Sequence, residues 1–226
     1  MTIQLQEVAY VTGKQQLFTH LNLQLDQRPT LILGLNGAGK TTLLRLAAGE
    51  LAPTRGRVRN EVQVAYLPQH VPVITGFTCE EYVAYVAWVS GAEQARAHQQ
   101  AAGWLEFVGL GRQRGQMCHK LSGGQQTRLG LAAALNSGAQ MLLLDEPSAA
   151  LDPLAREMLE ALYQRVIAAG IGLVVSTHHG EDITNYFQRL IVVDAGTIIF
   201  DDVPSAFARL QGGDSILSRL ARAVLR

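Results

Sequence analysis

The stretch GLNGAGKTT, residues 34–42, decides the fold predicted for this chain. It matches the pattern G-x-x-x-x-G-K-[ST] at every fixed position, and its glycines let backbone N–H groups approach phosphate oxygens. The lysine supplies a positive charge for β- and γ-phosphates, and the hydroxyl that follows it can ligate Mg²⁺. The stretch therefore predicts a nucleotide-binding loop between a strand and a helix. Its predicted binding residues are Gly34, Asn36, Gly37, Ala38, Gly39, Lys40, Thr41 and Thr42.

A second phosphate-handling stretch, LSGGQ, covers residues 121–125. It is also a small-residue turn before a predicted helix, so it offers free N–H groups and the positive end of a helix dipole to an anion. The chain has two such helix starts but only one P-loop lysine. This combination predicts that the second start serves the nucleotide of a neighbouring subunit. The residues concerned are Leu121, Ser122, Gly123, Gly124 and Gln125.

Two carboxylates end an apolar stretch in MLLLDEP, residues 141–147. The apolar residues predict a buried strand, and ligands of open α/β sheets bind at the carboxyl ends of such strands. Asp145 is therefore predicted to contact Mg²⁺ directly or through water, whereas Glu146 points elsewhere. The alternative is an acidic pair that only caps the next helix.

The three stretches described so far are accompanied by three more, YLPQ, SAALD and VVSTHHG, and the six stand in a fixed order. On these motifs the chain, from about residue 3 to residue 202, resembles the ATPase subunits of the ATP-binding cassette (ABC) family. The resemblance implies two subunits that bind two MgATP head to tail across a two-fold axis. ATP and Mg²⁺ are thus the expected ligands. The expected partners are a second ABC ATPase subunit, with an identical copy favoured, and a separate membrane-spanning permease subunit.

The resemblance also implies roles for three further side chains. Glu146 becomes the base that orients and polarises the attacking water. Gln69, in YLPQ, can touch Mg²⁺ or that water, although a glutamine after a proline is by itself an ordinary loop residue. His178, in VVSTHHG, can donate to the γ-phosphate and hold the base in register, and the adjacent His179 is the competing assignment.

Two further assignments leave an alternative open. SAALD, residues 148–152, resembles the segment in which Ser148 and Asp152 cross the dimer interface, and Asp152 can equally cap the helix that starts at Pro153. The family stacks adenine on an aromatic side chain, but the aligned position here is Thr12. Tyr10 lies two residues earlier and is the candidate, with a strand-face tyrosine as the alternative.

Periodicity and turn residues predict an α/β fold in which strands alternate with helices. The strands are predicted at residues 3–8, 17–25, 31–33, 62–67, 141–144, 171–176 and 190–194, and helices at 41–48 and 123–135. With the resemblance, this predicts a P-loop NTPase core with a mostly parallel sheet, an antiparallel β subdomain and an inserted helical subdomain. The predicted single ABC ATPase domain covers residues 1–211, with its core at about 1–77 and 121–211. Its helical subdomain covers about 78–120 and the signature helix, and a helical tail covers 212–226.

Composition restricts the class of protein. The 226 residues carry 19 basic and 19 acidic side chains, and this balance argues against a large nucleic-acid-binding face. The longest apolar run, residues 82–89, is eight residues, whereas a membrane-spanning helix needs about 20. We therefore expect a cytoplasmic protein, peripheral on the cytoplasmic face of the plasma membrane. Cys79 and Cys118 lack the spacing and partners of a zinc site.

The helical region offers a possible partner surface. Phe77, Tyr82, Tyr85 and Trp88 follow the YLPQ stretch, and they predict either a groove for a membrane subunit or packing within a small helical subdomain.

The favoured function is ATP hydrolysis that drives a separate permease, with export favoured. The alternative is a soluble ABC-type regulatory ATPase acting on protein or nucleic-acid complexes.

In the tail, the apolar face of residues 216–224 predicts docking on the domain itself or contact with a membrane or partner.

Overall fold

The structure is a computed structural model that describes residues 1–13, 15–149 and 151–212. The predicted tail lies outside the described residues from position 213 onward. The strands are Ile3–Thr12 (β1), Gln15–Leu25 (β2), Thr30–Leu33 (β3), Arg55–Asn60 (β4), Val64–Leu67 (β5), Met141–Asp145 (β6), Gly172–Thr177 (β7), Arg189–Asp194 (β8) and Thr197–Asp202 (β9). The helices are Lys40–Ala48 (α1), Cys79–Val89 (α2), Gln94–Phe107 (α3), Gly123–Asn136 (α4), Pro153–Ala168 (α5) and Pro204–Ala208 (α6).

The chain divides into two compact units, and the boundaries cross β6. The first unit comprises Met1–Val62, Leu143–Glu146 and the described residues from Gly172 onward. The second comprises Gln63–Leu142 and Pro147–Ile171. The division into a core and a helical subdomain drawn from the sequence follows different boundaries and stays a prediction.

One sheet of the first unit is antiparallel, with the strand order β2-β1-β4. The predicted alternation holds in the first part of β1, where Ile3 and Leu5 are buried. It breaks at Glu7, which is exposed and has a φ of 49°, so that the consecutive residues Val8 and Ala9 are both buried. Strand β4 was not predicted from the sequence. Its residues, RGRVRN, contain one apolar side chain, and a strand at a sheet edge with exposed arginines lacks the alternation that marks a half-buried strand.

The second sheet in this unit has the order β6-β7-β3-β8-β9. Strand β3 is parallel to β7 and β8, with Leu33 opposite Thr177 on one side and Val192 on the other. Strand β9 runs antiparallel to β8. The residues of β3 are all buried, as the predicted apolar run requires. The loop after β3 and the ends of β6 and β7 therefore meet at one edge of the sheet, which confirms the predicted α/β class.

The second unit is mainly helical. Helices α2, α3 and α4 pack on one another, and α4 also contacts α5 and β5. The buried Asn136, at the end of α4, donates to Val83 O in α2 at 3.2 Å and to Ala97 O in α3 at 2.9 Å. The amide nitrogen of this side chain ties three helices together, whereas its buried Oδ1 has no hydrogen-bond partner within the described residues.

A break at Gly91 separates α2 from α3. Gly91 has a φ of 102°, a conformation that favours glycine, and follows the C-terminal cap Ser90. Cys79 and Cys118 are both buried, and neither forms a disulfide. In the part of the chain that the structure describes, helices are too short or too polar to cross a bilayer.

Candidate functional site

The loop after β3 has the geometry of a phosphate cradle. Gly34 N–H donates to Thr177 O at 3.2 Å, which ties the start of the loop to the end of β7. A Cβ atom at Gly34 would lie 2.4 Å from Val193 O, so only glycine fits there. Gly39 caps α1 with a φ of 108°, so the loop passes directly into the helix start. Because the first N–H groups of a helix have no intrahelical partner, the start of α1 can bind an anion.

Lys40 is held at the centre of the site. Its side chain is only 5% exposed, and Nζ donates to Gly34 O at 2.7 Å and Leu35 O at 3.2 Å. The same ammonium lies 3.0 Å from Glu146 Oε1. The loop carbonyls and the carboxylate therefore compensate the buried charge, which is otherwise costly to bury.

Glu146 links the lysine to a histidine. Its second carboxylate oxygen, Oε2, lies 2.9 Å from His178 Nδ1. Its backbone has a φ of 45°, a left-handed conformation that is uncommon for residues other than glycine. The turn from β6 thus aims the carboxylate between Lys40 and His178, and the three side chains form one connected polar chain.

The neighbouring Asp145 is buried and 4% exposed, and it accepts a hydrogen bond from Ser176 Oγ at 2.7 Å. Thr41 is exposed in the first turn of α1. A carboxylate and a hydroxyl are hard oxygen donors that fit Mg²⁺, which commonly takes one or two carboxylates together with phosphate oxygens and waters. Within the described residues, no group of three or more His, Cys, Asp or Glu side chains is arranged to hold a metal ion. A magnesium site built from one carboxylate, one hydroxyl, phosphate oxygens and waters does not need such a group.

The two adjacent histidines differ in their contacts. His178 reaches Glu146, whereas the backbone N–H of His179 donates to Thr177 Oγ1 at 3.0 Å. Thr177 Oγ1 in turn donates to Asp182. The two imidazole rings lie with their centroids 3.8 Å apart. The geometry thus brings the predicted histidine to the carboxylate and uses its neighbour to hold the turn.

The LSGGQ stretch starts α4 in the second unit. Ser122 Oγ accepts from Gln125 N, and Gln125 Oε1 accepts from Ser122 N at 2.9 Å, which is a capping box. The N–H groups of Gly123 and Gly124 occupy the first helical positions, where no intrahelical acceptor exists. Leu121 is buried just before them. The helix start therefore has N–H groups without intrahelical acceptors, and its binding of an anion stays a prediction.

The remaining predicted residues take several positions. Gln69 is exposed two residues after β5 in the second unit. Asp152 Oδ1 accepts from Ala155 N at 2.8 Å, so its predicted capping of α5 is confirmed. Ser148 is buried, and its carbonyl accepts from Leu151 N at 3.2 Å. Tyr10 is half-buried on β1, and its adenine contact stays a prediction.

Sequence reasoning missed three polar residues around the site, and all of them are buried: Ser176, Thr177 and Asp182. The first two stand inside the quoted stretch VVSTHHG, directly before the predicted histidine. The only sequence signal for Ser176 and Thr177 was their hydroxyl groups. This signal is weak, because the hydroxyl of a serine or threonine at the end of a strand usually bonds to the nearby backbone.

A P-loop after a parallel strand, with carboxylates at the end of a neighbouring strand, defines the class of P-loop nucleotide-binding proteins. Comparison with known proteins gives the family. Residues 8–149 match the family model described as ABC transporter, which is more than half of the chain. The chain therefore belongs to the ABC transporter family.

Individual relatives agree with this placement. The chain is 34% identical over 175 residues to the "Uncharacterized ABC transporter ATP-binding protein YxlF" of Bacillus subtilis (strain 168), which covers 74% of this chain and 59% of that protein. It is 31% identical to the "Nod factor export ATP-binding protein I" of Paraburkholderia xenovorans (strain LB400), over 82% of this chain and 65% of that protein. The chain thus spans less than two thirds of the length of both relatives.

A solved structure shares the fold. The dimeric ATP-binding cassette MJ0796 in a post-hydrolysis state with ADP and Pi matches with a TM-score of 0.77 and 22% identity. The match covers 89% of this chain and 98% of that chain. At this identity, the similarity establishes the ABC ATPase cassette fold.

Proposed function

We propose that this chain is the ATP-hydrolysing subunit of a transporter, and that it drives a separate membrane-spanning subunit. The observation that carries the proposal is the polar chain Lys40–Glu146–His178, with distances of 3.0 Å and 2.9 Å between successive partners. It places a carboxylate beside the P-loop lysine, where the γ-phosphate of ATP and its attacking water meet.

Each side chain of the site has a distinct role in this mechanism. Lys40 binds the β- and γ-phosphates, and Glu146 accepts a hydrogen bond from the attacking water and aligns it with the γ-phosphorus atom. His178 holds the Glu146 carboxylate and donates to the γ-phosphate. Thr41 and Asp145 would hold Mg²⁺, which would supply positive charge close to the phosphate oxygens. Gln69 contributes to the metal and water environment.

The LSGGQ stretch completes the site of a second subunit. Ser122 and Gln125 fix the first turn of α4 through the capping box, which keeps the N–H groups of Gly123 and Gly124 directed out of the helix end. A rigid helix start of this kind binds the γ-phosphate held by the other P-loop. We therefore propose a dimer of identical subunits around two ATP molecules, with Ser148 and Asp152 near the shared interface.

The surface proposed for the membrane subunit lies in the second unit. Phe77, Tyr85 and Trp88 line an open cavity of about 270 Å³, together with Glu81 and His98. The rings of Phe77 and Tyr85 pack in a tilted arrangement with centroids 5.2 Å apart, and those of Tyr85 and Trp88 pack edge to face at 6.1 Å. Trp88 is 46% exposed. Exposed, mutually packed aromatic rings are typical of protein interfaces, and we propose that a short segment of the permease docks here.

Export is the proposed direction. It is supported by the relative whose name is "Nod factor export ATP-binding protein I". A soluble regulatory ATPase is the competing function predicted from the sequence. The aromatic cavity carries no cluster of basic side chains among its lining residues, which counts against nucleic acid as the partner at this surface.

The experiment that tests the function is affinity purification of the tagged protein from gently solubilised native membranes. We expect a multi-span membrane protein to co-purify in comparable amount, and the complex to hydrolyse ATP in the presence of Mg²⁺. Recovery only from the soluble fraction, with other protein or nucleic-acid partners, would contradict the transporter and support the regulatory ATPase.

A further inference from the structure

Ser176 contacts both carboxylate residues of the site. It lies in β7 with 0% of its surface exposed, and its hydroxyl donates to Asp145 Oδ1 at 2.7 Å. The same Oγ accepts the backbone N–H of Glu146 at 3.0 Å. The carbonyl oxygen of Ser176 lies 3.2 Å from that amide nitrogen as well. One residue of β7 thus bonds two consecutive residues at the end of β6.

The direction of these hydrogen bonds follows from the chemistry of the groups. A backbone N–H can only donate, so the Ser176 oxygen accepts from Glu146. The single hydroxyl proton is then available for the Asp145 carboxylate, which accepts when ionised. Both functions of the hydroxyl are used, and this combination leaves the Ser176 side chain a single orientation that satisfies both contacts.

The contact with Glu146 falls where the backbone is unusual. Glu146 has a φ of 45°, and a non-glycine residue keeps this conformation only where its surroundings hold it. The two Ser176 oxygens bind the amide of this residue. They therefore support the turn that aims the Glu146 carboxylate at Lys40 and His178.

We propose that Ser176 is a positioning residue for ATP hydrolysis, whose hydroxyl sets the directions of Asp145 and Glu146 together. The inference rests on the proposed function, in which Asp145 holds Mg²⁺ and Glu146 is the base. Ser176 itself acts through these two residues. Polar partners behind metal ligands and catalytic groups commonly change metal affinity or activity by about 10- to 100-fold when they are removed.

The test compares three variants of the full chain. Ser176→Ala removes the hydroxyl, and Ser176→Thr keeps it. Thr30→Val is the matched control, because Thr30 is a fully buried strand hydroxyl in the same sheet that donates to Arg28 O at 2.8 Å. The measurements are kcat and KM for ATP, and the affinity for Mn²⁺ in the presence of ADP, followed by electron paramagnetic resonance.

We expect Ser176→Ala to lower kcat by about 10- to 100-fold and to weaken Mn²⁺ binding by about 10-fold, with little change in KM. Ser176→Thr should restore both properties, and Thr30→Val should retain them. Unchanged kcat and Mn²⁺ affinity in Ser176→Ala would overturn the positioning role. Equal losses in Thr30→Val would overturn it too, because they would reflect the sheet rather than this contact.

Failure of the proposed function gives a different result. If the unaltered protein hydrolyses no ATP, alone or with its membrane partner, the proposed ATPase function fails. The Mn²⁺ titration needs no turnover, and it then still decides whether Ser176 orients the Asp145 carboxylate.

Discussion

The Lys40 ammonium and the Glu146 carboxylate form a buried ion pair, with 3.0 Å between Nζ and Oε1 and side chains only 5% and 15% exposed. The pair joins the P-loop to the end of β6, and each charge compensates the other. A γ-phosphate that approaches Lys40 brings negative charge toward the Glu146 carboxylate. Because the two negative charges repel, we expect the ion pair between Lys40 and Glu146 to open when the γ-phosphate binds to Lys40.

The first prediction concerns Glu146→Gln. Turnover should fall by at least about 100-fold, because the amide is a poor base. Without nucleotide, the free energy of unfolding should fall by up to about 3 kcal/mol, because Lys40 loses its ionic partner. ATP binding should become tighter and trap a dimer. Phosphate release, thermal unfolding and size-exclusion chromatography with ATP measure these effects.

The matched control for this variant is Glu157→Gln, which changes an exposed glutamate of α5. It should leave turnover, stability and dimerisation unchanged. Normal turnover in Glu146→Gln would remove Glu146 as the base.

The second prediction separates the two adjacent histidines. His178→Ala should lower kcat by about 100-fold, because the imidazole that contacts Glu146 Oε2 at 2.9 Å is lost. His179→Ala should have a much smaller effect, since the contact of residue 179 with Thr177 uses its backbone N–H. Steady-state ATPase kinetics measure both. A larger loss in His179→Ala than in His178→Ala would reverse the assignment.

A third prediction concerns the shared site. Ser122→Arg should block ATP-driven dimerisation, because a bulky cation replaces the exposed serine at the start of α4. Nucleotide binding to the P-loop of the single subunit should persist. Light scattering with and without ATP measures dimerisation, and Gln99→Arg on the exposed surface of α3 controls for the added charge. Normal dimerisation of Ser122→Arg would contradict the shared site.

Removing one aromatic ring tests the proposed docking surface. Trp88→Ala should abolish co-purification with the membrane subunit while ATP binding persists, because Trp88 lines the cavity that we propose the permease enters. Val89→Ala is the control, since Val89 is exposed on the same helix but is absent from the cavity lining. Equal recovery of the membrane protein with Trp88→Ala would locate the docking surface elsewhere.

The buried cysteine Cys79 makes a prediction about pH. Burial first, and the nearby Cys118 second, raise the pKa of the Cys79 thiol from 9.0 to about 11. At pH 8 only on the order of one thiol in a thousand is ionised, so a thiol reagent should modify native Cys79 slowly and unfolded protein fast. Because the folded state holds this proton more tightly, its contribution to stability is present below pH 9.0 and is lost as pH rises through about 11.

Urea unfolding at pH 8 and pH 11 measures the loss, and Cys79→Ser serves as the comparison. A pH dependence equal in both proteins would contradict the shifted pKa of Cys79.

Local motifs were predictable where a few adjacent residues determine the backbone. The P-loop, the helix start at LSGGQ and the cap at Asp152 were evident from the sequence, because a few adjacent residues encode each of them. The capping box of Ser122 and Gln125 was not predicted, although its hydrogen bonds join residues only three positions apart. Strand β4 was missed, since only Val58 in RGRVRN marks it as a strand. Pairing with β1 decides its conformation.

The sequence alone predicted the class of fold, the family resemblance and Lys40, Asp145 and Glu146 as candidate site residues, because short motifs along the chain carry them. Only the tertiary structure decided that Glu146 joins Lys40 to His178 and that Ser176 holds both carboxylate residues. These contacts join the start of α1 to the ends of β6 and β7, which are distant in sequence. The distances between these side chains depend on the order of the strands in the sheet, and the chain acquires that order only when it folds.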